Sequence, residues 1–88
     1  MDTKDAFEAI CCALREHPER RLVEARYFDE MFGNFIIDFE DRGRPRSIVN
    51  DRFDLVLGEG FGGNQLGETV LRSLREADQR AILDALNL

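Results

Sequence analysis

Hydrophobic spacing divides the chain into a helical head, a β-rich middle and a helical tail. Over Thr3 to Glu16, the residues Phe7, Ile10, Cys11 and Leu14 recur at i, i+3, i+4 and i+7, which places them on one apolar stripe of a helix. Asp2 or Thr3 supplies an N-cap, and Asp5 suits the positive end of the helix dipole. Pro18 takes His17 out of the helical region, so the helix ends there. From Arg21 to Leu57 the period changes to two. Leu22 to Asp29 reads as a strand. The next strand, Phe35 to Glu40, carries Phe35, Ile37 and Phe39 on one face and Asp38 and Glu40 on the other, which marks those two carboxylates as solvent-facing. Gly33-Asn34 and Asp41-Arg42-Gly43-Arg44 are turns. Arg46 to Asn50 is a third strand. It is followed either by a tight turn at Asn50-Asp51 and a fourth strand, Phe53 to Leu57, or by a bulge within one long strand over 46–57. Short connections imply an antiparallel meander.

Five of the seven glycines fall between Gly58 and Gly67, a stretch too flexible for a strand. Beyond it, Gln65 to Leu86 reads as a helix with two apolar stripes. The first holds Val70, Leu71, Leu74, Ala77 and Ala81. The second holds Ile82, Leu83 and Leu86, rotated by roughly 100°. A straight helix cannot bury both on one surface, so a break is expected near Arg75 to Asp78, with Asp78 capping a second short helix. The fold class is therefore α+β. The expected order is N-terminal helix, three- to four-stranded antiparallel meander, Gly-rich loop, and bent or broken C-terminal helix.

At 88 residues this is a single small domain spanning 1–88, with a folded surface of roughly 5,300 Å² and room for one core. Twelve basic residues stand against eighteen acidic ones, a net charge of −6, which disfavours nucleic acid and anionic membranes as partners. The acid excess lies at the two ends, while residues 20–52 balance seven arginines with seven acids. Two adjacent cysteines make no disulfide framework. No charged head followed by an apolar run precedes the first helix, and the cytoplasm is the expected location.

Four features carry candidate chemistry. Gly58, Gly60 and Gly63 match G-x-G-x-x-G with a strand before and an expected helix after, a context in which backbone N–H groups bind phosphate. The stretch resembles the glycine loop of protein kinases, although the spacing is broken by one residue and no lysine-bearing strand comes after it. Second, Arg42-Gly43-Arg44-Pro45-Arg46 resembles the core of an AT-hook, which implies Arg42, Arg44 and Arg46 in the minor groove of A/T-rich DNA. The plainer reading is a hairpin tip, with Arg46 facing Glu40 and Val49 facing Ile37 across a three-residue loop. Third, Cys11 belongs to the apolar stripe and Cys12 to its flank. Adjacent helical thiols diverge, and with one histidine in the chain they make neither a metal site nor a Cys–His nucleophile. Fourth, Met31, Phe32 and Phe35 surround a turn and Phe61 sits in the glycine loop, positions hard to bury in a small domain and suited to an interface. The sequence thus reads as a non-catalytic protein-interaction or accessory domain with no cofactor. It would self-associate through a sheet edge or the aromatic loops, with DNA binding by the arginine tip and phosphate binding by the glycine loop as alternatives.

Overall fold

The N-terminal helix forms where its apolar stripe places it. In the computed structural model, which describes residues 1–63 and 67–88, α1 spans Thr3–Glu16 and ends against His17-Pro18. Five strands come next: β1 (Arg20–Phe28), β2 (Asn34–Asp41), β3 (Arg44–Asp51), β4 (Asp54–Glu59) and β5 (Gly67–Leu71). A short 3-10 helix, Leu74–Glu76, leads into α2 (Gln79–Ala85). The strands form one antiparallel sheet in the order β1-β2-β3-β4-β5, so each strand pairs with its neighbour in sequence.

The class is α+β as expected, but the meander has five strands rather than three or four. The fifth comes from the segment read as the first half of a C-terminal helix. Val70, Leu71 and Leu74 do recur at helical spacing. However, Thr69 and Val70 are β-branched, and the open edge of β4 offers backbone partners that a helix could not use. Pairing with β4 therefore wins, and Ser73, left-handed at φ +56, ends the strand. The start of the expected helix at Gln65 lies outside the described residues. Its break near Arg75 to Asp78 is present, and the Asp78 side chain accepts the Ala81 N–H at 2.8 Å, capping α2.

Two turns set the register. Asp41 pairs with Arg44, leaving a two-residue turn at Arg42-Gly43 with φ +53 and +85, the left-handed pair that matches strand twist. The expected three-residue loop is thus one residue too long. Arg46 faces Phe39 rather than Glu40, and Ile37 faces Ile48 rather than Val49. The next connection, Arg52-Phe53, has the same form with φ +50 and +73. The stretch 46–57 therefore belongs to two strands joined by a tight turn, the first of the two readings, but the turn falls at Arg52-Phe53 rather than Asn50-Asp51. Phe53 is a turn residue, and the Arg75 guanidinium stacks on its ring at 4.1 Å.

One sheet face is covered by the helices. Phe35, Ile37, Phe39, Ile48 and Leu55 pack under Ala6, Ile10 and Leu14 of α1, Leu74, and Ile82 and Leu86 at α2. Phe7 lies between Tyr27 and Phe35, with ring centroids 5.4 and 5.3 Å away. The opposite face is roofed in part by the glycine loop. Gly60 N–H donates to the Pro45 carbonyl and Gly62 N–H to Asp38 Oδ1, each at 2.9 Å. Gly63, at φ +67, lies so close to Val49 and Ile36 that a Cβ would stand 2.5 Å from a Val49 methyl. Asp38, expected to face solvent, is instead buried under this loop, where Arg26 meets its Oδ2 at 3.3 Å. The face is right, but the covering loop is a long-range contact that alternation does not reveal.

The register makes a direct prediction. Ile48→Ala empties a fully buried site and costs about 2–5 kcal/mol in urea unfolding. Val49→Ala, on the partly open face, costs about 1 kcal/mol. The expected three-residue loop would reverse that order.

Candidate functional site

The connection between β1 and β2 presents the largest exposed apolar side chains. Met31 is 57% exposed and Phe32 69%, against 43% for Val23 and 41% for Phe61. Phe35, expected to join them, is fully buried, because its alternation partners Ile37 and Phe39 point into the core and take it with them. The anticipated aromatic patch is therefore Met31 and Phe32 at one end of the sheet. Phe61 is also exposed but stands apart from them, on the outer face between the Gly60 contact to Pro45 and the Gly62 contact to Asp38.

This connection is braced from below. Met31 N–H donates to the Phe28 carbonyl and Asn34 N–H to the Met31 carbonyl. Phe32 and Gly33 are both left-handed, at φ +57 and +68, so the chain reverses tightly. Gly33 presses on the Thr3 and Tyr27 hydroxyls, which pair at 2.9 Å, and a Cβ there would collide with both. Asn50, fully buried on the helix-covered face, donates from Nδ2 to the Gly33 carbonyl at 3.1 Å. Asn34 Oδ1 in turn accepts the Arg52 N–H at 2.9 Å, tying this loop to the β3–β4 turn. Sequence reasoning misses Asn50, because asparagine before aspartate has the chemistry of a turn. Its place two positions beyond Ile48 on the same strand face is the signal that could have found it.

Beside the loop the outer sheet face holds an open groove of about 280 Å³, lined by Phe28, Met31, Ile36, Val49 and Asp51. Gly63 rests on its Ile36-Val49 wall. The lining is mostly apolar, and its one charged side chain among the described residues is the Asp51 carboxylate.

The other candidate residues have different surroundings. Arg42 meets Glu19 at 2.7 Å, Arg44 meets Glu59 at 2.7 Å, and Arg46 lies between Glu59 at 3.6 Å and Asp41 at 3.9 Å. The hydrogen bond from Arg42 to Glu19 holds its guanidinium still more firmly in the charged form. The tip is thus a folded hairpin whose three guanidinium groups already have carboxylate partners, whereas an AT-hook extends along a groove. In the glycine loop, Gly60 N–H is committed to Pro45 and Gly62 N–H to Asp38. Among the described residues the next element after the loop is β5, a strand in place of the helix N-terminus expected to complete a phosphate site. Cys11 is buried and Cys12 exposed, as their helical positions require. Among the described residues, no three His, Cys, Asp or Glu side chains cluster closely enough to hold a metal ion. No described helix is long and apolar enough to cross a membrane. Comparison with protein families, with curated proteins and with solved structures found no match to this chain.

Asn50→Ala leaves the Gly33 carbonyl buried without its donor. It is expected to cost about 1–3 kcal/mol in chemical denaturation and to broaden the Met31 and Phe32 NMR signals. Unchanged stability would remove the brace. Thiol titration provides a second check. Burial raises the Cys11 thiol above its ordinary value of 9.0. The native protein should therefore release one fast equivalent, from Cys12, and a second only on unfolding. The unfolded chain ionises Cys11 first, so its contribution to stability is intact below about pH 9 and is lost as pH climbs through the raised folded value.

Proposed function

We propose that this protein is a non-catalytic interaction domain that docks a protein partner on the outer sheet face, using Met31 and Phe32 beside the Phe28-Ile36-Val49 groove. The observation that carries this reading is the exposure of Met31 and Phe32 on a connection that is rigidly held. Hot spots are bulky side chains presented at low ordering cost, and a loop already fixed by Asn50, Asn34 and Gly33 has little entropy left to lose on binding. An apolar groove adjoining exposed apolar side chains is the usual surface sign of such a site.

The partner is another chain or a second copy of this one. Each sheet edge is interrupted by an extra residue, Val23 in β1 and Val70 in β5, where the register shifts. Such bulges twist an edge away from straight pairing, so the reading favours the face over edge-to-edge self-association.

Affinity capture from the native host, with the wild-type chain beside Met31→Asp/Phe32→Asp, tests the proposal. Both positions are exposed, so the double variant should melt within about 1 kcal/mol of the wild type. It is expected to lose the bands that the wild type retains. The same bands in both captures would overturn this surface as the docking site.

A further inference from the structure

The charges around the groove point to the chemistry of its occupant. Along residues 19–59, seven acidic side chains lie within salt-bridge distance of an arginine: Glu19, Glu24, Asp38, Glu40, Asp41, Asp54 and Glu59. Three have no such partner among the described residues, namely Asp29, Glu30 and Asp51. All three lie at the groove. Asp51 lines it, while Asp29 and Glu30 flank Phe28 and Met31 in the adjoining hollow. Arg26, which stands opposite Ile36 across the strands, is already engaged by Glu24 and Asp38. Arg52 in the neighbouring turn has no carboxylate partner among the described residues, and neither has Lys4, whose ammonium lies over the Tyr27 ring at 5.6 Å; these two cations stand against three carboxylates. The rim therefore keeps a net negative charge around an apolar floor.

We infer that the groove takes a basic segment of a different protein, in which a bulky apolar side chain is flanked by Lys or Arg. This rests on the docking reading above and specifies the partner. Unpaired carboxylates beside an apolar pocket favour a cationic neighbour and repel an anionic one, which gives both orientation and discrimination. A second copy fits poorly. A two-fold contact through this patch brings two copies of the same acidic rim together. The sheet also has few free cations to answer them, because Arg20, Arg21, Arg26, Arg42, Arg44 and Arg46 are all paired within it.

The test uses the full chain and three short labelled peptides: alternating Lys and Leu, alternating Glu and Leu, and alternating Lys and Ala. Binding is followed by fluorescence anisotropy and mapped by NMR. The Lys–Leu peptide is expected to bind, to move the Met31, Ile36 and Val49 methyl signals, and to weaken as salt rises. The other two should bind at least about tenfold more weakly. Reversing the rim with Asp29→Lys/Glu30→Lys/Asp51→Lys, all at exposed positions, should weaken the Lys–Leu peptide by about tenfold and admit the Glu–Leu peptide. Three results would overturn the inference: Lys–Leu binding that maps to Asp5, Glu8 and Glu16 on α1, affinity unmoved by rim reversal, or no binding of the Lys–Leu peptide. If the capture experiment still depends on Met31 and Phe32, the docking surface survives and only the partner's chemistry is wrong. A dimer seen by light scattering and dissolved by Met31→Asp would replace the basic partner with a second copy.

Discussion

The two-residue turn at Arg42-Gly43 is the constraint on which the rest of this molecule depends. With both residues left-handed, it pairs Asp41 with Arg44 and leaves no freedom in how β3 lies against β2. A shift of one residue would exchange the two faces of β3. In the register observed, Ile48 and Asn50 enter the core and Val49 goes to the outer face. Asn50 then reaches the Gly33 carbonyl and fixes the β1–β2 connection from beneath. Val49 becomes the wall on which Gly63 rests. The braced loop and the groove beside it thus derive from one turn geometry at the far end of the hairpin.

The sheet divides its two faces between different tasks. The helix-covered face buries nearly all the large apolar groups and supplies the stability. The outer face keeps Phe28, Ile36 and Val49 only half covered, and its roof is a glycine loop held by backbone donors. Asp38 is central to that arrangement. One carboxylate accepts Gly62 N–H and faces the Arg26 guanidinium, so a single buried side chain both anchors the loop and occupies a nearby cation. A buried carboxylate is tolerable only when it is compensated in this way. Its neighbours at the groove end, Asp29, Glu30 and Asp51, are solvated and have no such need.

Local pattern is enough to read α1, the face assignment of β2, the Asp78 cap and the contrast between Cys11 and Cys12. These depend on periodicity and on short-range hydrogen bonds. It is not enough for β5, because Val70, Leu71 and Leu74 satisfy a helical period equally well and only the open edge of β4 decides between the two. The β2–β3 register escapes it because an arginine in a left-handed turn position carries no clear sequence signal, and the turn length stays open by one residue. Phe35 reads both as a strand residue in line with Ile37 and Phe39 and as a turn aromatic, and only the strand's start at Asn34 decides for the first. Met31 and Phe32 are legible as surplus apolar residues beside a glycine. Their bracing by Asn50 is not, since it joins positions far apart in the chain.

The bulges at Val23 and Val70 have a consequence for behaviour in a crowded solution. A domain that permanently displays a methionine and a phenylalanine invites sticking, and straight sheet edges would let such encounters grow by open-ended strand addition. Here each outer strand is kinked by one extra residue, so a chance apolar contact on the face has no edge along which to propagate. Both outer strands thus oppose straight strand addition at the two edges of the sheet.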